Sequence, residues 1–188
     1  KIHNLKPQSG FTLIELIVVM GIIGVLSSIL IGYSRQSSKN LLLTSTEAKL
    51  LSLISRAKFL AIETFFEQIG TEQGQERICA YGTHVDYDLN EIFVFQDMSE
   101  TNDCNTADNA YQSEDDVKLS GALDVVKLNT SILKLTGDLN DVVFIPPDPD
   151  VVINGNSTTR EAAIEVGITN NVTNFIIPVN DAGQVSAK

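Results

Sequence analysis

The chain has 188 residues, 43% of them apolar, and a formal charge of −11. With 24 acidic residues against 13 basic ones, it lacks the clustered Lys and Arg that sequence-independent nucleic-acid binding relies on, so that class is not expected. About 150 residues lie beyond the first apolar segment, enough for one compact domain with its own core.

The first ten residues, KIHNLKPQSG, are polar, hold Lys1 and Lys6 with no acid, and end in Gly10. Without them the charge of the remainder is −13. A basic stretch ahead of an apolar helix marks the cytoplasmic side, so the N-terminus is expected inside and everything after Arg35 outside. From Leu16 to Ser34 run 19 residues without a charge. At ~1.5 Å per residue they span roughly 28 Å, close to the thickness of a bilayer core. The order resembles a secretory signal, but the run is too long and the Gly10–Phe11 junction precedes it, so the helix is expected to survive processing.

Glu15 sits near the start of this segment, and an ionisable group at membrane depth costs roughly 2.5 kcal/mol or more. A charge in a low dielectric is tolerable when partnered. Further along, Gly24, Ser28 and Gly32 recur every fourth residue, the small-residue spacing that lets helix backbones approach closely. Gly21 and the Ser27–Ser28 pair are points where such a helix can bend.

Together these residues identify a family resemblance. GFTLIEL, at residues 10–16, resembles the prepilin peptidase signature of type IV pilins and type II secretion pseudopilins. The resemblance implies cleavage between Gly10 and Phe11 and methylation of the new amine on Phe11. It also makes Glu15 the acidic residue at the fifth mature position. A neighbouring subunit's Glu15 would then pair with that amine and set the axial register between helices. The implied partners are like or related pilin subunits in a helical filament, a prepilin peptidase, an assembly ATPase and an inner-membrane platform. The subunit would be held in the membrane before assembly. The competing reading is a membrane-tethered binding domain that never polymerises, for which Gly10–Phe11 and Glu15 would have no use.

After Arg35, apolar residues at Leu50, Leu53, Ile54, Ala57, Ala61, Phe65 and Ile69 follow helical spacing, and Gly70 is a natural stop. The spacing predicts one long helix to about residue 69, with a weak point at residues 37–40. Its second half should lay an apolar face on the outer domain. Expected domains are thus a leader at 1–10, a transmembrane assembly helix at 11–35 and an extracytoplasmic domain at 36–188.

Beyond residue 76 the texture turns to short β-like runs: 77–81, 92–96, 124–128, 132–135, 142–145, 151–153, 162–168 and 175–179. No helix-length segment intervenes, so the sheets should be antiparallel. The fold class expected is α+β: a long helix on an antiparallel sheet or β-sandwich. The order from RAKFLAIETF to NFIIPVNDAGQVS resembles H-type minor pseudopilins and FimT-type minor pilins, which implies a helix followed by two sheets. Residues 97–116 read as an inserted acidic surface loop.

Cys79 and Cys104, with 24 residues between them, permit one disulfide in an extracytoplasmic domain; two free thiols are the alternative. They carry no zinc spacing. His84 lies near Asp86 and Asp88, but no GxSxG elbow accompanies it, and it reads as a surface strand residue rather than part of a hydrolytic triad. Asp148 and Asp150, with Asp86, Asp88 and Asp97, offer oxygen ligands of the kind major secretion pseudopilins use for calcium. None fits the EF-hand spacing, and Asp-Pro-Asp at 148–150 reads as a turn. No cofactor and no enzymatic activity are expected.

Overall fold

The computed structural model describes residues 12–68, 77–99, 104, 107–147, 150–169 and 173–186. Contacts divide the chain into two compact units, Lys1–Asn40 and Leu41–Lys188. Helix α1 runs from Leu13 to Gln68 without the interruption expected at residues 37–40.

In the first unit, every large apolar side chain from Leu13 to Ile31 is exposed. The helix is long and apolar enough to cross a membrane.

In the second unit, α1 has two faces. Leu43, Leu50, Leu53, Ile54, Ala57 and Ala61 are buried, at steps of three and four that keep them on one side of the helix. Thr46 lies in the same stripe, where its hydroxyl donates to the Leu42 carbonyl at 2.9 Å rather than facing the core unpaired.

Among the described residues nine strands follow: β1 (Arg77–Asp86), β2 (Glu91–Ser99), β3 (Val117–Lys118), β4 (Val125–Lys127), β5 (Leu133–Gly137), β6 (Asp141–Ile145), β7 (Asp150–Ile153), β8 (Glu161–Ile168) and β9 (Asn174–Asn180). All pairings are antiparallel. The larger sheet has the order β3-β2-β1-β6-β7, with β4 also on the outer side of β2. The smaller sheet has the order β5-β8-β9. One core lies between α1 and the sheets, joining Leu50, Leu53 and Ile54 to Ile92, Val94 and Phe144 of the large sheet and Leu135, Ile164 and Ile177 of the small one. A second cluster, Ala80, Phe93, Phe95, Val143 and Val152, occupies the opposite face of the large sheet. This is why β2 is buried on both sides and carries no polar alternation over Ile92–Phe95.

Side-chain amides join the two sheets. Asn90, in the β1–β2 turn, is 4% exposed and has φ 56°. Its Nδ2 donates to the Leu133 carbonyl at 3.0 Å and, longer, to that of Leu128 at 3.3 Å; its Oδ1 accepts from Leu135 N–H at 2.8 Å. Asn154, also left-handed, accepts from the amides of Asn140 and Asp141 and donates to the Asp138 carbonyl at 2.7 Å. Asp138 in turn accepts from Ala163 N–H of β8 at 2.7 Å.

Three expectations are corrected. β1 continues through Gly82, Thr83 and His84 to Asp86, because Gly82 leaves room for the Phe95 ring across the ladder: a Cβ there would lie 2.6 Å from it. A two-residue strand, β3, appears just after the segment read as a loop, where no strand was expected. Residues 97–99 belong to β2, so the surface loop starts later than predicted.

Candidate assembly site

Thr12 stands immediately before α1 and Glu15 in its first turn. The Thr12 hydroxyl accepts from Glu15 N–H at 3.3 Å, and Glu15 Oε2 accepts from Thr12 N–H at 2.9 Å and from the Thr12 hydroxyl at 2.8 Å. This is a capping box: two amides that the helix cannot satisfy internally are met reciprocally by side chains. The negative charge of Glu15 also opposes the positive end of the helix dipole. The sequence carries the signal in the spacing Thr12-x-x-Glu15. Gly10 and Phe11 lie outside the described residues.

Ser28 turns its hydroxyl back onto its own helix, donating to the Val25 carbonyl at 2.7 Å. Apart from the helix's own backbone and the flanking residues, no atom lies within 4 Å of where a Cβ would stand on Gly24 or Gly32. The small-residue face is therefore free of contacts in the isolated chain, and a close backbone could approach it.

Cys79 and Cys104 form a disulfide with Cα atoms 5.2 Å apart. It ties β1 to the segment beyond β2, beside the register shift between Ile78 and Ala80. Further along that segment, Tyr111 packs on the outer face of the sheet, with its ring 4.9 Å from Phe93, 5.2 Å from Phe95 and 4.8 Å from His84. His84 Nδ1 meets Asp141 Oδ1 at 2.8 Å, and Tyr111 N–H donates to the same oxygen at 3.3 Å. His84 is a half-buried strand residue that helps hold Tyr111 down. Beyond Phe95 on this face lies Asp97, 0% exposed, with no hydrogen bond of good geometry on either carboxylate oxygen. Burial, with Asp116 and Asp108 nearby, pushes its carboxyl up to about 7, partly offset by the Asn109 amide. Burial also raises the carboxyl of Asp116, against hydrogen bonds from the amides of Gln112 and Met98 that lower it.

The remaining acids do not converge. Asp86 accepts from Leu89 N–H at 2.8 Å within the β1–β2 turn. Asp88 is exposed, Asp150 is exposed at the start of β7, and Asp148 lies outside the described residues. Among the described residues no three His, Cys, Asp or Glu side chains are placed to share a metal ion.

The family described as the prokaryotic N-terminal methylation motif matches residues 5–31, which span Gly10–Phe11, Thr12–Glu15 and most of the uncharged helix. No curated protein matches the chain. Among solved structures, the minor pseudopilin EpsH from the type 2 secretion system of Vibrio cholerae is similar over 77% of this chain and 90% of that one. Identity there is 11% and the TM-score 0.39, a likeness too loose to bear on function. What the comparisons establish is therefore confined to residues 5–31, which are similar to the prokaryotic N-terminal methylation motif.

Proposed function

We propose that the chain is a structural subunit, of the minor pilin or pseudopilin kind, of a type IV pilus or type II secretion pseudopilus. The observation that carries this reading is the methylation motif over residues 5–31, continuous with an apolar helix whose side chains have no cover within their own chain. The leader, residues 1–10, is removed between Gly10 and Phe11, and Phe11 is N-methylated. The N-terminus starts on the cytoplasmic side, and the domain from residue 36 onward lies beyond the membrane. Leu13 to Ile31 sit in lipid before assembly and among neighbouring helices afterwards.

Glu15 has two tasks on this reading. Within its own chain it closes the capping box with Thr12. A carboxylate has about four acceptor positions, so it can keep the cap and still accept a neighbour's Phe11 amine. That pair fixes register, and Gly24, Ser28 and Gly32 allow close packing beside it.

The test uses Glu15→Ala and Glu15→Gln in full-length protein, with sheared filaments and membranes assayed separately. Both variants should remain in the membrane with a folded outer domain and be lost from filaments. Glu15→Gln, which keeps the cap geometry without the charge, separates pairing from helix capping. Normal incorporation of Glu15→Gln would refute the pairing role.

A further inference from the structure

The segment at residues 107–116 is laid on the outer face of the large sheet by two unlike contacts. At one end, Tyr111 covers Phe93 and Phe95 and is flanked by the His84–Asp141 pair. At the other, Asp116 accepts from Met98 N–H at 3.0 Å and from Gln112 N–H at 2.8 Å. Between them, two residues on from Phe95 and so on the same face of β2, is Asp97. It is the one buried side chain among the described residues whose polar atoms make no hydrogen bond of good geometry.

The charged groups of the loop that face Asp97 are Asp108 and Asp116, both carboxylates. The basic side chains described on this face are engaged elsewhere: His84 with Asp141, and Lys118 with Glu91 at 2.5 Å while lying over the Phe93 ring. From β1, the residue opposite Asp97 is Ala80, which offers no charge. An ionised Asp97 in this position would be a buried charge beneath two like charges, with only the Asn109 amide to offset them. A neutral one fits.

We propose that residues 107–116 form a proton-controlled strap on the outer face of the large sheet, held down when Asp97 is protonated and loosened when it ionises. Opening the strap lifts Tyr111 and bares the apolar face of Phe93, Phe95, Val143 and Val152. The sign follows from linkage. The folded carboxyl sits near 7 and the free one near 3.8, so the closed form binds the proton more tightly. Closure is unopposed below about pH 4, weakens as pH rises, and reaches its full penalty above about 7.

The experiment is amide hydrogen exchange on the full-length protein in detergent micelles, with a chelator present, between pH 5.5 and 8.5. Rates at Tyr111, Gln112 and Asp116 are normalised to intrinsic rates and to Val143 in the core. For wild type, protection over 107–116 should fall at least tenfold across this range while Val143 stays protected. Asp97→Asn, isosteric and uncharged, should remove most of that change. Equal pH dependence in wild type and Asp97→Asn, or none in wild type, overturns the proposal. Should the variant fold poorly, carbon NMR of the wild-type Asp97 carboxyl decides alone. A midpoint below pH 5 overturns the strap, and one between 6 and 8 supports it.

Discussion

Asn90 gives the sharpest test of how the two sheets are held together. Its side chain meets three backbone groups at once, the carbonyls of Leu128 and Leu133 and the amide of Leu135. Leu133 and Leu135 belong to β5, so these bonds run from the hairpin of the large sheet to the edge of the small one. Replacing Asn90 by Ala removes all three, and buried groups left unpaired cost about 1–3 kcal/mol each, less where water can reach them. Ala must also adopt the left-handed backbone at φ 56°, which costs a further ~1 kcal/mol. The expected loss for Asn90→Ala is about 3–5 kcal/mol, or about 10 °C in Tm for a domain of this size. Asn90→Gly lacks the backbone penalty and should recover only about 1 kcal/mol of it. Thermal and urea unfolding of the full-length chain in detergent, followed by circular dichroism, measure both. A loss under 1 kcal/mol for Asn90→Ala, or complete recovery in Asn90→Gly, would refute the bridging role.

Replacing Cys79 and Cys104 together by Ser opens a loop of sequence separation 25, and unfolding should show a loss of about 3 kcal/mol; reduction of the wild type should give the same loss. Gly137→Ala should destabilise by at least about 3 kcal/mol in the same assay, since φ is 139° and the new Cβ would overlap the Ala163 carbonyl oxygen. Asp97→Asn should be more stable than wild type at pH 8 and close to it at pH 4. The upper bound on the difference is about 4 kcal/mol, from a carboxyl raised from 3.8 to about 7. A variant less stable than wild type at pH 8 would contradict that sign.

Much of the fold is legible where one physical demand dominates. The second half of α1 shows its buried stripe because Leu50, Leu53, Ile54, Ala57 and Ala61 can repeat at 3.6 residues only by sharing a face. Strands β6 and β8 are legible from their apolar residues and flanking turns. β1 is only half legible, since Gly82 and His84 are poor strand formers in isolation and sit there because Phe95 and Asp141 accommodate them. β3 is invisible, as two residues carry no period and pair with β2 only through the tertiary arrangement. Asp97 misled for the same reason. Its composition belongs to the acidic segment that follows, but its place in the ladder opposite Ala80 puts it inside.

At the assembly site the residue types carried the reading. Phe11 and Glu15 are singled out by the motif, and the chemistry of a buried charge explains why they should be paired. The cap from Thr12 is equally legible, since Thr12-x-x-Glu15 has capping-box spacing. Nothing in the sequence marks the strap, because it depends on which face of β2 the later segment covers.

The central claim is that the helix beginning at Leu13 is a processed assembly helix rather than a simple anchor. Intact-mass and N-terminal peptide mass spectrometry of protein purified from its native cells tests it most directly. The account predicts a mature chain that begins at Phe11 and carries one methyl group on its amine. A mature chain that keeps residues 1–10 would contradict it.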